Sequence, residues 1–242
     1  DDNIAIRSYS ENGKIISLTY RELYIKVTQL TSSFKKSGVK QGDRVCGFIP
    51  NISEAIIAML AASSIGAIWS SCSPDFGIKG ALDRFKQIDP KILITSDGYS
   101  YNGKEISLLK KIKGIVSELD SLQTTIIVPF ISNINSFSIP NSINWNEYLD
   151  YNVLEIFFEP LPFDHPLYIM YSSGTTGIPK SIVHSAGGTL LQHIKELKLH
   201  TDIKRSDIIF YYTTCGWMMW NWLVSSLYLG STIVLYDGSP FY

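Results

Sequence analysis

Net charge is what this sequence most lacks: 21 Lys and Arg stand against 22 Asp and Glu in 242 residues, a formal balance of −1. So even a balance leaves no electrostatic footprint for nucleic acid or for an anionic membrane surface, and neither is expected as a partner. The densest basic stretch, Lys104, Lys110, Lys111 and Lys113, has the form of a solvated helix face. Cysteine is scarce too. Cys46, Cys72 and Cys215 are odd in number and far apart, with no Cys-x-x-Cys pair. The four histidines, His165, His184, His193 and His200, form no His-Glu-x-x-His pattern. Neither a metal site nor a disulfide framework is expected, and a reducing, cytoplasmic setting is.

Two further absences narrow the chemistry. No Walker A loop occurs, and the aspartate motifs of protein kinases are missing, so a phosphotransferase is disfavoured. The opening Asp1-Asp2-Asn3 lacks the basic-then-apolar order of a signal peptide. One uncharged run, Ile208–Tyr236, is long enough to raise a membrane span. Thr213, Thr214 and Gly216 interrupt it early and Gly230, Ser231 and Thr232 late, which leaves a strand, a buried helix over Trp217–Leu229 and a second strand.

What is present is a core-forming composition, 45% hydrophobic and 18% charged, with alternating strand and helix patterns. Leu23, Val27, Leu30 and Phe34 recur at helical spacing, so Tyr20–Lys36 is an amphipathic helix. Its start, Thr19 with Glu22 three residues on, reads as a capping box. Strands are expected at Arg44–Ile49, Ala67–Ser71, Lys91–Thr95, Thr125–Val128, Leu167–Tyr171, Ser181–His184, Asp207–Thr213 and Thr232–Tyr236. Helices are expected at Ser53–Ser64, capped by Asn51 or Ser53, and at Ile78–Ile88, Glu105–Leu119 and Gly188–His200. Residues 130–146 turn Asn- and Ser-rich and read as a surface excursion. The alternation predicts an α/β fold of β-α units with mainly parallel sheets.

The most informative segment is Tyr171-Ser172-Ser173-Gly174-Thr175-Thr176-Gly177-Ile178-Pro179-Lys180. Two glycines let the backbone turn and approach a ligand without a Cβ in the way. Amide N–H groups in such a turn can converge on an anion. The hydroxyls of Ser172, Ser173, Thr175 and Thr176 add donors, and Lys180 adds a compact charge suited to phosphate. The plainer reading is an exposed turn, because Ser, Thr, Gly and Pro are ordinary turn residues.

In its order, this string resembles the phosphate-binding signature of the adenylate-forming superfamily, which includes the acyl-CoA synthetases. Leu18-Thr19-Tyr20-Arg21-Glu22-Leu23 resembles an early signature of the same superfamily, and the resemblance covers nearly the whole chain. Val183–Leu190, together with Gly216-Trp217-Met218-Met219-Trp220-Asn221-Trp222 and Tyr236-Asp237-Gly238-Ser239-Pro240, is most similar to the acetoacetyl-CoA synthetase family. Acetyl-CoA synthetases also have Gly-Trp at that place but follow it with Val-Thr-Gly-His.

The resemblance implies activation of acetoacetate with ATP and Mg²⁺ and transfer of the acyl group to CoA. It implies that Ser172, Ser173, Gly174, Thr175, Thr176, Gly177 and Lys180 hold the ATP phosphates, with Lys180, Thr175 and Thr176 acting in catalysis. Lys104 matches a basic position that contacts CoA, whereas Tyr101 stands where another would be. Trp217 and Met218 are expected as pocket walls, and Trp220 and Trp222 as core. Asn221 could meet the substrate's keto oxygen or satisfy a buried backbone group. The open alternatives are acetate or another short acid as substrate, and a non-catalytic nucleotide-binding remnant. The superfamily's later motifs and its mobile domain with a catalytic lysine do not occur before Tyr242. Residues 1–242 are therefore expected to be part of an AMP-binding (adenylation) domain, weakly active or inactive alone.

Overall fold

In the computed structural model, which describes residues 2–132, 137–172 and 177–242, strand and helix follow one another as the periodicities require. The chain opens with β1 (Ile4–Ser10), β2 (Ile15–Thr19), α1 (Tyr20–Lys36), β3 (Arg44–Phe48), α2 (Ser53–Ser64) and β4 (Ile68–Cys72). It continues through α3 (Ile78–Phe85), β5 (Ile92–Ser96), β6 (Gly98–Tyr101), β7 (Lys104–Ser107), α4 (Leu109–Val116) and β8 (Thr124–Val128). Next come β9 (Ser142–Asn144), α5 (Trp145–Tyr148), β10 (Pro166–Ser172), β11 (Lys180–Ser185) and α6 (Ala186–Lys195). The last elements are β12 (Ile208–Phe210), α7 (Met218–Ser225) and β13 (Thr232–Asp237).

Seven strands form the main sheet in the order β11-β10-β4-β3-β5-β8-β9, parallel except for the antiparallel β10–β11 pair. A second sheet runs β12-β13-β1-β2, and β6–β7 is a separate hairpin. Successive residues of a central strand serve opposite faces, as the strand period of two requires. Val45, Ile92, Ile94 and Ile126 enter one core with Leu30, Phe34, Ile56, Trp220 and the second sheet's Ile6 and Ile233. Cys46, Phe48, Leu93 and Ile127 enter the other, beneath Phe85 of α3 and Ile112 and Ile115 of α4. Burial on both faces explains why these strands are apolar along their length rather than alternating.

The capping box of α1 forms: Glu22 N–H donates to Thr19 Oγ1 at 3.1 Å and Thr19 N–H to Glu22 Oε2 at 2.7 Å. Five expectations need correction. Neither Asn51 nor Ser53 caps α2, whose N-cap is Ile52 with no side-chain bond. The segment read as one helix over Glu105–Leu119 starts as β7, because Asn102-Gly103 makes a hairpin turn with φ of +52° and +71°. Strand β12 is limited to Ile208–Phe210, and the helix expected to reach His200 changes to a π-helical turn over Glu196–His200. Within 130–146, Ser142–Asn144 pairs with β8 as an edge strand and Trp145 is buried. Among the described residues no helix is long and apolar enough to cross a membrane.

Phe34 is fully buried, and its ring centroid lies 6.2 Å from that of Tyr148. Phe34→Ala is expected to lower the unfolding free energy by about 3–5 kcal/mol in a denaturant titration; a loss below about 1 kcal/mol would contradict this packing.

Candidate functional site

The glycine-rich segment connects β10 to β11, and its flanks are register partners: Ser172 lies opposite Lys180. Ser173, Gly174, Thr175 and Thr176 lie outside the described residues. Gly177 follows at φ +99°, a conformation that favours glycine, and Ser172 and Lys180 are exposed. The Lys180 ammonium has no hydrogen-bond or ionic partner among the described residues. Both flanks are tied to the region of α3. Tyr171 donates its hydroxyl to the Arg84 carbonyl at 3.0 Å, and Gln87 Nε2 donates to the Pro179 carbonyl at 2.8 Å. The Arg84 guanidinium in turn lies 4.1 Å from the Phe76 ring centroid and 5.7 Å from that of Tyr171. The strand end that feeds the loop is therefore rigidly placed.

A second turn, Thr213–Trp217, is pinned across the carboxyl ends of β3 and β4. Asn51 Nδ2 donates to the Thr213 carbonyl at 3.2 Å while Asn51 Oδ1 accepts from Trp220 Nε1 at 2.8 Å. Ser71 Oγ donates to the Cys215 carbonyl at 2.7 Å, and itself accepts from Trp69 Nε1 at 3.1 Å. Close approach requires Gly216: a Cβ there would lie 3.3 Å from Cys72 Cα and 3.4 Å from the Ser73 nitrogen. This turn delivers α7 with Trp217 as its N-cap.

The predicted substrate contacts part company here. Trp220 is fully buried and Trp222 packs against the same core. Met218 lines a groove of about 760 Å³ whose other walls include Val183, His184, Thr189, His193 and Trp222. Trp217 is 68% exposed and does not line it. Asn221 is buried; its Nδ2 meets Met170 Sδ at 3.5 Å, and its Oδ1 has no hydrogen-bond partner among the described residues. Its carboxamide therefore satisfies no backbone group and keeps an acceptor to spare. Beside the groove, His193 Nδ1 lies 2.9 Å from Ser225 Oγ. Burial first, and then nearby His184, hold His193 below the ordinary imidazole value against the opposing charge of Glu196.

Lys104 stands apart, on the β6–β7 hairpin and exposed. That hairpin borders a small polar cleft of about 40 Å³, lined by Asn51, Asp75, Tyr99, Tyr212, Thr214 and Asp237 among others. Asp237 is buried and accepts the Ser100 N–H at 3.0 Å. Burial, with repulsion from Glu11 and Asp75, pushes its carboxyl up to about 7 against that single hydrogen bond. The three cysteines are free and buried; burial raises the Cys72 thiol to about 12 and lifts Cys46 and Cys215 as well. Protonated thiols in these positions are not nucleophiles.

Several of these residues carried no readable signal. Asn51 looked like a helix cap, and Arg84 and Glu11 drew no expectation. Each acts through a partner between 87 and 228 positions away, which local pattern cannot supply.

Comparison with known proteins gives one consistent picture. The family model described as AMP-binding enzyme matches residues 2–242. The chain is 49% identical over 248 residues to acetoacetyl-CoA synthetase of Mus musculus and 50% identical over 248 residues to that of Gallus gallus. In each case 99% of this chain and 37% of the relative are covered, so the chain spans little over a third of these relatives' length. The solved acetoacetyl-CoA synthetase from Streptomyces lividans superposes with a TM-score of 0.93 at 44% identity, over 99% of this chain and 36% of that one.

Asp237 gives a pH test. The folded chain keeps its proton up to about pH 7, whereas an unperturbed carboxyl releases it near 3.8. Between those values the folded state binds more protons, so stability falls as pH rises through this window, by on the order of a few kcal/mol. Asp237→Asn is expected to flatten that decline in denaturant titrations at pH 4.5 and 7.5; an unchanged pH slope would contradict the assignment.

Proposed function

Because this chain belongs to the AMP-binding enzyme family, we propose that it serves an acid–thiol ligase that joins acetoacetate to CoA at the expense of ATP. Residues 1–242 are on this reading part of the adenylation domain. An acetoacetate carboxylate oxygen attacks the α-phosphorus of ATP, and the bond to the β-phosphate oxygen breaks, releasing pyrophosphate. The CoA sulfur then attacks the acyl carbon of the mixed anhydride; its proton departs and AMP leaves. The protein's task in the first step is to stabilise charge growing on the leaving pyrophosphate.

The observation that carries this reading is the placement of the glycine-rich connection. It hangs between Ser172 and Lys180 at the carboxyl end of β10, the edge at which α/β sheets take ligands. On this reading the amides and hydroxyls of Ser172, Ser173, Gly174, Thr175, Thr176 and Gly177 hold the phosphates, and the Lys180 ammonium, without a partner among the described residues, meets the β- and γ-oxygens. Mg²⁺ fits as a companion of the nucleotide. Among the described residues no cluster of three His, Cys, Asp or Glu offers a protein cage, so the ion would share the triphosphate oxygens and offset their charge.

Met218 walls the acyl site on this reading, and a keto oxygen, which accepts hydrogen bonds, would need the Asn221 Nδ2 donor that is set against Met170 Sδ. The preference for acetoacetate over acetate is carried by the acetoacetyl-CoA synthetase relatives. The protein works in a reducing, cytoplasmic compartment, consistent with three buried free thiols.

Carboxylate-dependent ATP–pyrophosphate exchange, measured on an enzyme of the relatives' full length that contains this segment, tests this function. Acetoacetate is expected to stimulate exchange well above acetate, and Lys180→Ala to lower it by roughly 10²–10³-fold. Equal stimulation by acetate would overturn the substrate, full activity of Lys180→Ala the phosphate role, and no exchange with either acid from that folded full-length enzyme the enzymatic reading itself.

A further inference from the structure

Among the described residues, the β6–β7 hairpin that carries Lys104 pairs with no other strand. A lone two-stranded hairpin is marginal in water and needs an outside hold. The base of this hairpin is held by the Ser100 N–H on Asp237 and by Tyr99 and Ile106 in the core; its tip is held by Glu11, in the turn between β1 and β2. The Asn102 N–H donates to Glu11 Oε1 at 2.9 Å and the Gly103 N–H to Glu11 Oε2 at 2.8 Å. A third backbone donor, the Ser239 N–H, closes on Oε1. One carboxylate thus joins segments separated by 91 and 228 positions in the chain. The Glu11 N–H adds a bond to the Asp237 carbonyl at 3.1 Å. Burial works to raise the Glu11 carboxyl, but the three N–H donors outweigh it and keep the group below its ordinary value. It is charged at neutral pH, and charge-assisted bonds to backbone amides are the stronger kind.

The turn residues make this hold specific. Asn102 and Gly103 both have positive φ, which turns their consecutive N–H groups towards one acceptor. At Gly103 the φ of +71° strains any side chain, whereas the nearest atoms to a Cβ belong to the exposed and movable Tyr242 ring. Immediately beyond the turn, Lys104 is the register partner of Tyr101, and its ammonium has no partner among the described residues. The hairpin tip is therefore bound on its backbone side while its cation is left for a ligand.

We propose that Glu11 is a positioning residue, whose carboxylate on the Asn102, Gly103 and Ser239 amides fixes the hairpin so that Lys104 is presented to the phosphates of CoA. This rests on the reading of Lys104 as a CoA contact, and the test separates the two. Amide hydrogen exchange at Asn102 and Gly103 reports the hold, while titrations with CoA and with ATP report its use. In Glu11→Ala, exchange at both amides is expected to rise at least roughly tenfold. CoA affinity is expected to fall about tenfold with ATP affinity unchanged, a split that general loss of structure would not produce. Glu11→Gln, isosteric and with one acceptor oxygen retained, is expected to fall between the two and guards against misfolding of the alanine variant. Lys104→Ala is expected to weaken CoA binding without changing exchange at the turn. Wild-type exchange and wild-type CoA affinity in both Glu11 variants would overturn the proposal. Faster exchange in Glu11→Ala, with full CoA affinity in Lys104→Ala, would instead overturn the Lys104 reading and with it any role of the hold in CoA binding.

Discussion

The two-sided burial of the seven-stranded sheet is the constraint from which the rest of this structure follows. Apolar residues from β3, β5 and β8 enter cores above and below it. A mainly parallel sheet covered by helices on both faces has nowhere to place polar chemistry except its edges and strand ends. The glycine-rich connection therefore leaves β10 at its carboxyl end, and the Thr213–Trp217 turn lies over the carboxyl ends of β3 and β4. Side chains that could have served elsewhere are spent on securing that edge: Asn51 bridges a backbone carbonyl and an indole, and Ser71 ties β4 to the Cys215 carbonyl.

Rigidity at the edge is matched to the chemistry assigned there. Stabilising charge on a leaving pyrophosphate depends on donors that are already in place when charge develops. Tyr171 and Pro179, on either side of the loop, are each bonded to the α3 region, so the positions of Ser172 and Lys180 are set by the fold. The acyl side differs. The groove beside α7 is wide, and its polar lining comes from side chains such as Thr189, Gln192 and His193, while Asn221 is buried outside that lining. On this account the nucleotide is held by a fixed frame and the acid by a roomier wall.

The elements and the loop were legible from sequence wherever the signal is local. The capping box of α1, the apolar helix α2 and the ordered string Tyr171–Lys180 are patterns within a dozen residues. The hairpin β6–β7 was hidden because its strands are only four residues each and its Asn-Gly turn sits beside a lysine-rich helical pattern. Asn51 was misassigned because a polar residue before a helix suggests a cap, whereas its partners lie 162 and 169 positions away. Trp217 and Met218 looked equivalent in sequence. The start of α7 separates them, leaving one largely exposed and the other in the groove wall.

Amide hydrogen exchange across the chain, with and without ATP and Mg²⁺, tests the central claim most directly. If the carboxyl edge of the main sheet is the nucleotide site, ATP slows exchange at Ser172, at residues 177–180 and in the Thr213–Trp217 turn, and leaves β1, β2 and β12 unchanged. Bound ATP that protects the second sheet, or any region other than that edge, would contradict it.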